Sequence, residues 1–189
     1  DTIENLRNEC SQTIDLMKKS KKSIYHCSNY HYQDIQKITP KTGRKPKSSP
    51  ELFHNLTNEY LDTKGIKTNR GNSIFGFKEQ VLTYGFTSYI LFPVNNANVL
   101  WFKNSYDLFK SFYSYVSKNH DKFIDDLSEN EIDKKKFNKF LDSLKPNTSL
   151  KKYLYNRPLL EEIMISSPLY IVKKEVFETD DFKKQIGLK

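Results

Sequence analysis

The stretch Lys22-Ser-Ile-Tyr-His-Cys-Ser-Asn29 decides the fold that we expect for this chain. Its β-branched and aromatic residues favour extended backbone, so Ile24 to Ser28 predicts a short strand. Side chains alternate between the two faces of a strand, which places His26 on the face opposite to Tyr25 and Cys27. Three later stretches are its expected partners: Gly71-Asn-Ser-Ile-Phe-Gly-Phe77, Leu82-Thr-Tyr-Gly85 and Leu160-Glu-Glu-Ile-Met-Ile165.

Length and composition fit a single domain over residues 1–189. A chain of this size can bury a sizeable core, and its many phenylalanines and tyrosines each bury a large area. The formal net charge of +8 favours an anionic partner, which would be a nucleic acid, a phosphorylated cofactor or an acidic protein. Lysines scattered over solvated helix faces explain the same charge, and composition alone does not choose between these explanations.

The cysteines exclude several classes of site. Only Cys10 and Cys27 occur, which favours a reducing compartment and predicts a cytoplasmic location, in the host cytoplasm if a phage or virus encodes the chain. His26, Cys27 and His31 have no second close pair to complete a zinc site, so no metal is expected. No apolar run approaches the length of a membrane span, so no membrane partner is expected either.

Helical periodicity is clearest in the first third of the chain. An amphipathic N-terminal helix is predicted over residues 1–20. A second helix begins at Ser49-Pro-Glu-Leu52, which supplies a Ser N-cap, Pro in the first turn and Glu at the positive end of the helix dipole. Gly65 is a good terminator for it. The apolar stripe of the first helix consists of Ile3, Leu6, Cys10, Ile14 and Met17.

A helical insertion is predicted over about residues 105–155. Ser105 caps a helix that runs to about Leu127, and Ser128-Glu-Asn-Glu131 has the capping-box pattern of a second helix, which ends before Pro146. Two short helices complete the prediction, one over Leu150–Leu154 and one over Thr179–Ile186.

Short strands lie between these helices. Thr87–Pro93 and Val99–Phe102 predict a hairpin that turns at Asn95-Asn96. The helices and strands seldom alternate as βαβ units, so the predicted class is α+β with a mainly antiparallel or split sheet. The other predicted elements are strands over Ser73–Phe77, Glu161–Ile165 and Leu169–Val176 and one helical turn over Lys78–Thr83.

The segment from Asn29 to Ser49 has little periodicity. Its second half, Thr39-Pro-Lys-Thr-Gly-Arg-Lys-Pro-Lys-Ser-Ser-Pro50, is basic and rich in turn formers. It is either a mobile surface loop or a phosphate-contacting loop led by Arg44, because a guanidinium matches the oxygens of a phosphate. The residues leave both interpretations open.

Taken together, these motifs resemble ADP-ribosyltransferases of the histidine-tyrosine-glutamate type. Ile24-Tyr-His-Cys-Ser28 is similar to the family's first strand motif, and Gly71–Phe77 to its Gly-x-Gly-Ile-Tyr-Phe-Ala segment. Lys78–Tyr84 is similar to the segment that follows, and Glu162–Ile165 to the strand with the catalytic glutamate. The chain also resembles uncharacterised bacteriophage ADP-ribosyltransferase-like proteins over roughly residues 5–175, although those commonly carry Arg in place of His26.

The resemblance implies an ADP-ribosyltransferase-like core, a split antiparallel or mixed sheet with flanking helices, and NAD as the substrate. Glu162 would be the catalytic carboxylate that stabilises an oxocarbenium-like transition state, and His26 would bind the adenosine-side ribose and share in catalysis. The reaction would be mono-ADP-ribosyl transfer to a host macromolecule, either protein or nucleic acid. The residues implied in cofactor binding are His26, Ser28, Arg44, Ser73, Phe75 and Tyr84, with the last two stacking on the nicotinamide ring.

Two residues depart from the family pattern and restrict the catalytic mechanism and the acceptor that the resemblance implies. Phe75 stands where the family has its catalytic tyrosine, and it can stack but cannot donate a hydrogen bond. Leu160 stands where arginine-directed members have Glu or Gln, which disfavours arginine as the acceptor.

The proposed site residues also have ordinary structural explanations. His26 would be a structural strand residue, Phe75 and Tyr84 core aromatics and Glu162 a solvated edge residue.

Two other functions compete with the transferase. The first is a non-catalytic nucleic-acid-binding module that uses the basic loop over Thr39–Pro50 and exposed aromatics for phosphate contacts and stacking. The second is an RNA 2′-phosphotransferase, which shares the fold and the use of NAD. It needs several basic residues that converge on a terminal phosphate, and the sequence does not assemble that set.

Overall fold

Two antiparallel four-stranded sheets form the centre of the computed structural model, and eight helices accompany them in the part of the chain that the structure describes. That part comprises residues 1–45, 50–118 and 133–189, without the side chains of residues 116–118. The predicted α+β class is confirmed. The strands in chain order are β1 (Tyr25–Ser28), β2 (Ile35–Ile38), β3 (Ile74–Gly76), β4 (Thr87–Pro93), β5 (Val99–Phe102), β6 (Pro146–Asn147), β7 (Ile163–Ile165) and β8 (Leu169–Lys173).

The first sheet has the strand order β1-β4-β8-β2 and the second the order β3-β7-β5-β6. All pairings within them are antiparallel. The two central strands of the first sheet are covered on both faces, since Tyr89–Phe92 and Leu169–Val172 are buried without a break. This burial explains why these strands have continuous apolar runs instead of alternating polar and apolar residues.

The second sheet lies between two apolar clusters. Val99, Trp101 and Ile163 face the cluster that also contains the first sheet. Leu100 and Met164, their neighbours along the strands, face a second cluster that is rich in phenylalanine. Because side chains alternate between the two faces of a strand, this short sheet contributes apolar side chains to both clusters.

The helices cover the outer sides of these clusters. The first cluster is closed by the N- and C-terminal helices, and the second by three helices from the middle of the chain. In the second cluster the Phe53 ring lies 5.4 Å from that of Phe112 and 5.6 Å from that of Phe137. The helices are α1 (Thr2–Glu9), α2 (Ser11–Ser20), α3 (Glu51–Thr63), α4 (Leu108–Lys118), α5 (Lys134–Ser143), α6 (Leu150–Tyr155), α7 (Lys174–Phe177) and α8 (Asp180–Ile186).

The two sheets meet where β1 passes the end of β3. The backbone N–H and C=O groups of Tyr25 and Phe77 exchange hydrogen bonds of 2.7 and 2.9 Å, which makes an isolated antiparallel bridge. Gly76 permits this approach, because a Cβ atom there would lie 2.5 Å from Cγ2 of Ile24. Beyond the bridge the sheets diverge into separate hydrogen-bonded ladders.

The single helix predicted over residues 1–20 is wrong, because the helix is interrupted at Cys10. Cys10 has φ −115° and ψ 20°, outside helical geometry, and separates α1 from α2. Asn95 stabilises the break: its N–H donates to the carbonyl oxygen of Glu9 at 2.7 Å, and its Oδ1 accepts from the N–H of Gln12 at 2.9 Å. These contacts come from a distant loop, so the helical periodicity of the sequence does not reveal them.

The predicted hairpin of Thr87–Pro93 and Val99–Phe102 is also wrong. Both segments are strands, but β4 belongs to the first sheet and β5 to the second. The intervening turn contains Asn96 at φ 57° and carries the chain from one sheet to the other. The carbonyl of Pro168 accepts from the N–H of Val94, so the link between β7 and β8 crosses between the sheets next to this turn.

Three smaller predictions also need correction. Residues 78–83 form no helical turn, since the Lys78 side chain is buried and bonded to other segments. The strand predicted over Leu169–Val176 ends at Lys173, where α7 begins. The segment from Asn29 to Ser49, for which no strand is predicted, contains β2, which pairs with β8.

Some predictions fall outside the described residues. These are the end of the long helix near Leu127 and the capping box over residues 128–131. The prediction of Ser49 as an N-cap is wrong, because α3 begins at Glu51 and Pro50 occupies its N-cap position. In the described ranges, no helix has both the length and the apolar character needed to cross a membrane.

Candidate functional site

A cleft lies at the split between the two sheets and consists of two cavities that share His26. The first cavity has a volume of about 520 Å³ and the second about 220 Å³. Six of the seven residues proposed from the sequence line one or both of them. His26, Ser28, Arg44 and Ser73 line the first cavity, and His26, Phe75 and Glu162 line the second.

His26 lies on β1 and is tied to the neighbouring sheet. Its Nδ1 lies 2.7 Å from the backbone carbonyl oxygen of Phe75. A carbonyl oxygen only accepts, so Nδ1 carries the proton and donates, which leaves Nε2 as an acceptor in the neutral ring. Burial lowers the pKa of His26, with a smaller contribution from Arg44, and thereby favours this neutral form.

Glu162 directly precedes β7 and enters the second cavity from the other sheet. Its N–H donates to the carbonyl of Ser105 at 3.0 Å, which fixes the backbone, and its side chain is 14% exposed. Burial raises the pKa of Glu162 to about 7, because desolvation outweighs the attraction of Arg70 and because Asp107 adds to the rise. Both protonation states are therefore populated near neutral pH, and the interpretation of Glu162 as a solvated edge residue is wrong.

Two arginines lie over the ring of Phe75 between these groups. The guanidinium carbons of Arg44 and Arg70 are 5.4 and 5.3 Å from the ring centroid, within the range of cation–π contact. Arg44 also donates from Nη1 to the carbonyl of Ser73 at 3.1 Å, and Arg70 Nη1 lies 3.5 Å from Oε1 of Glu162. The cleft therefore carries two cations beside one buried carboxyl group.

Arg70 was missed by the sequence analysis. It occupies a tight turn before β3, in which Asn69 Oδ1 accepts from the N–H of Gly71 and Asn72 Oδ1 accepts from the N–H of Asn69. The sequence signal for this turn is Arg70-Gly-Asn, but nothing in it indicates which side chain the arginine meets. Glu162 is far away in the sequence, so only the pairing of β3 with β7 brings the two together.

The two serines already have hydrogen-bond partners. Ser73 is buried, and its hydroxyl donates to the carbonyl of Asn69 at 2.5 Å, so this hydroxyl holds the turn. The Ser28 hydroxyl accepts from the N–H of Tyr30 at 3.0 Å and keeps its own proton for another contact in the first cavity. Of the two, Ser28 is the better candidate for a ligand contact.

Aromatic side chains form part of the wall of the first cavity. The rings of Tyr30 and Tyr32 lie 4.7 Å apart, and Tyr32 meets Tyr89 edge-on at 5.2 Å. Tyr30 is 62% exposed, which leaves much of its surface open to a ligand. Lys41 lies on the same rim, so the cavity combines aromatic surface with positive charge.

Tyr84 does not lie in the cleft. Its side chain is fully exposed and lines neither cavity, so the predicted sandwich of Phe75 and Tyr84 is not formed. The physical reason is a β-turn: the N–H of Phe86 donates to the carbonyl of Thr83 at 3.0 Å, and Gly85 has φ 76°. Tyr84 therefore stands at the tip of a turn, while Gln80, Val81 and Thr83 of the same loop line the second cavity.

A buried ion pair involves Glu161, the residue directly before Glu162. Lys78 and Glu161 are fully buried and 3.0 Å apart. Glu161 also accepts from the side chain of Asn156 and from the N–H of Asn104, and Lys78 donates to the carbonyls of Tyr153 and Asn156. Glu161 and Glu162 therefore have different partners.

Neither a metal nor a known relative helps to define the site. In the ranges that the structure describes, no group of three or more His, Cys, Asp or Glu side chains has the arrangement to hold a metal ion. The chain matches no protein-family model, and no curated protein or solved structure is significantly similar to it. The chemistry of the cleft therefore has to be argued from its own residues.

Proposed function

We propose that this protein is a mono-ADP-ribosyltransferase, which transfers ADP-ribose from NAD to a host macromolecule and releases nicotinamide. The observation that carries the proposal is that His26 and Glu162, which come from different sheets, line one cavity at the split between the sheets. The resemblance of the motifs implies a split sheet with these two residues beside the substrate. The specific ADP-ribosyltransferase arrangement of the core is part of the same proposal.

The residues of the cleft suit a dinucleotide. Arg44 and Lys41 supply positive charge for a pyrophosphate, and Tyr30 supplies an exposed ring for a base. The Nε2 atom of His26 can accept a hydrogen bond from a ribose hydroxyl. Phe75 and Glu162 line the second cavity, and an aromatic ring beside a carboxyl group suits a flat cationic ring attached to a sugar.

The transfer that we propose breaks one bond and forms one. The bond between ribose C1′ and the pyridinium nitrogen breaks, and its electron pair goes to the ring, so nicotinamide leaves neutral. The acceptor nucleophile forms a new bond to C1′ and gives up one proton. An ionised Glu162 would stabilise the positive charge that develops at C1′, as carboxylates do in glycoside cleavage.

The pKa of Glu162 links this role to pH. Since the pKa is about 7, ionised and protonated carboxyl groups coexist at neutral pH. The anion stabilises the transition state, so the rate is expected to rise as pH increases through about 7. The ionised carboxylate can also receive the proton that the acceptor loses.

The two alternative functions have less support. The nucleic-acid-binding module would use Lys41, Arg44 and exposed rings, but it gives no role to a buried carboxyl beside a histidine. In the described part of the chain, Lys41 and Arg44 are the only Lys or Arg residues on the wall of the first cavity. An RNA 2′-phosphotransferase needs a larger convergent set of basic residues than this.

The test is incubation with NAD that is labelled on the adenylate phosphate, in lysate of a suitable host cell, followed by separation of protein from nucleic acid. The proposal predicts label on one fraction, and loss of at least a hundredfold in Glu162→Gln. The matched control is Glu59→Gln, because Glu59 is exposed on α3 and its ion pair with Lys134 is also exposed. The proposal is wrong if Glu162→Gln labels as well as the unaltered protein does.

A second readout separates the transferase from the binding module. NAD should raise the midpoint of thermal unfolding, because a ligand that binds only the folded state stabilises it. Absence of label together with absence of this protection would reject the transferase. Salt-dependent nucleic-acid binding that persists in Glu162→Gln would then support the binding module.

A further inference from the structure

We infer that Arg70 is a positioning residue that holds the Glu162 carboxylate as an anion in the second cavity. The inference rests on the proposed function, since it assigns Arg70 a task in the same reaction. It acts through Glu162, and we assign it no contact with the reacting atoms.

The geometry of the pair supports this role. Arg70 Nη1 is 3.5 Å from Oε1 of Glu162, and the two side chains are only 15% and 14% exposed. Water therefore screens the attraction less than it would at a surface. The ring of Phe75 lies 5.3 Å from the Arg70 guanidinium carbon and limits where the guanidinium can move.

The turn that carries Arg70 is fixed before any ligand binds. Ser73 donates to the carbonyl of Asn69, Asn72 Nδ2 donates to the carbonyl of Lys67 at 2.7 Å, and the N–H of Arg44 donates to the carbonyl of Gly71 at 2.9 Å. These bonds tie the turn to β3 and to the basic loop. A cation on such a turn is preorganised, so it costs no reorganisation during the reaction.

The other charged groups around Glu162 do not replace Arg70. Asp107 repels the carboxylate, and the Tyr153 hydroxyl donates to the carbonyl of Glu161. Lys78 is paired with Glu161. The titratable residues of β1 that line the same cavity are His26, Cys27 and Tyr25, and burial favours the neutral form of His26.

The proposal predicts a shift in the titration of Glu162. Burial raises the pKa of this carboxyl and Arg70 opposes the rise, so Arg70→Met should raise the midpoint by about one further pH unit. At pH 7 the ionised fraction, and with it the rate of NAD turnover, should fall about fivefold. At pH 9 the loss should be nearly gone, whereas a variant that is merely misfolded would lose activity at every pH.

The experiment combines two measurements. The carboxyl carbon of Glu162 is followed by nuclear magnetic resonance against pH, which requires no NAD. The pH profile of NAD turnover is then measured in the same variants. Arg70→Lys should return the midpoint of the Glu162 titration most of the way to its value in the unaltered protein. Arg44→Met is the matched control for the titration, since Arg44 lies at nearly the same distance from Phe75 and is not among the charges that shift the pKa of Glu162.

The outcomes distinguish the inference from the proposed function. If the Glu162 titration shifts in Arg70→Met but no variant turns over NAD, the Arg70–Glu162 interaction is confirmed and the transferase function is rejected. Measurable turnover with an unshifted titration in Arg70→Met would overturn the inference alone. If Arg70→Met does not fold, the Nε resonance of Arg70 in the unaltered protein must follow the midpoint of Glu162, and independence of the two titrations overturns the inference.

Discussion

The Nδ1 atom of His26 donates a hydrogen bond to the backbone carbonyl of Phe75, and this 2.7 Å contact crosses from one sheet to the other. The backbone of the second sheet thereby selects the tautomer of a side chain on the first. The imidazole cannot rotate without breaking this bond, so the acceptor nitrogen keeps one direction. A site at the junction of two sheets thus gains a fixed hydrogen-bond acceptor without further side chains.

The contribution of Glu162 to the free energy of unfolding should fall as pH rises from about 5 to about 8. The folded-state pKa of Glu162 is about 7, above its ordinary value of 4.5, so the folded protein binds more protons than the unfolded chain in this window. Stability therefore decreases with pH there, by up to about 3 kcal/mol.

His26 contributes with the opposite sign, because its lowered pKa makes the folded state lose stability as pH falls below the ordinary histidine value. The difference in the free energy of unfolding between the unaltered protein and Glu162→Gln gives the contribution of the Glu162 carboxyl group. Urea unfolding at several pH values measures it. A pH dependence that is the same in both proteins would contradict the assigned burial of Glu162.

Phe75 and Tyr84 should differ in their effect on NAD binding. Phe75→Leu removes a ring that lines the second cavity and that carries Arg44 and Arg70, and we expect about tenfold weaker binding from the lost aromatic contacts. Tyr84→Leu should leave binding unchanged, because Tyr84 stands at an exposed turn. Calorimetric titration with NAD measures the affinity of both variants. Equal losses of affinity would support the stacked pair of Phe75 and Tyr84 that the sequence predicts.

The two cysteines should react with iodoacetamide at very different rates. Cys27 lines the second cavity, whereas Cys10 is fully buried and its thiol donates to the carbonyl of Phe92 at 3.3 Å. Burial raises the pKa of Cys10 to about 12, so almost no thiolate is present. Mass spectrometry should find Cys27 alkylated first, and saturating NAD should slow its alkylation. Alkylation of Cys27 that NAD does not affect would argue against binding in this cavity.

Lys78→Met should destabilise the fold by about 3–5 kcal/mol, because it leaves the buried Glu161 carboxylate without its counter-ion. Lys134→Met is the control, since its pair with Glu59 is largely exposed and should matter little. Denaturant unfolding measures both. The double variant Lys78→Met with Glu161→Leu should lose less free energy of unfolding than Lys78→Met alone, because no unpaired charge remains. A larger loss in the double variant would contradict this account of the pair.

Gly76→Ala should weaken the junction of the sheets. The added Cβ would lie 2.5 Å from Cγ2 of Ile24 and 3.2 Å from the carbonyl of Tyr25, and overpacking of this kind costs about 1–3 kcal/mol. In an Ile24→Ala background the cost should shrink, because the closest contact is gone. A double-mutant cycle from thermal unfolding tests this coupling, and additive effects would show that the clash is relieved elsewhere.

The sequence predicts the individual elements better than their pairing. The density of aromatic and β-branched residues in Thr87–Pro93 predicts a strand, and β4 has these bounds. Its partner was misjudged, because a short turn after a strand is the usual sign of a hairpin, while here it leads to another sheet. The strand β2 was missed since its four residues, Ile35–Ile38, lie at the edge of the sheet and are only half buried.

For the site, local motifs identify residues on the walls but not their contacts. His26, Phe75 and Glu162 stand in recognisable strand motifs, and the structure brings them to one cavity. Arg70 carries no such motif, and its proximity to Glu162 follows only from tertiary pairing. Tyr84 was misplaced because its exposure depends on the turn closed between Thr83 and Phe86.

The cleft is completed by distant parts of the chain, and this affects the order of events during synthesis. β1 and β7 lie far apart in the sequence, and neither pairs with the strand that follows it. Contacts between distant segments form slowly, because closing the loop between them costs entropy before the contacts contribute favourable free energy. A nascent chain on the ribosome displays His26 long before Glu162 emerges, so no cleft exists until the last strands have been made. Any reactivity of the cleft is therefore withheld from incomplete chains.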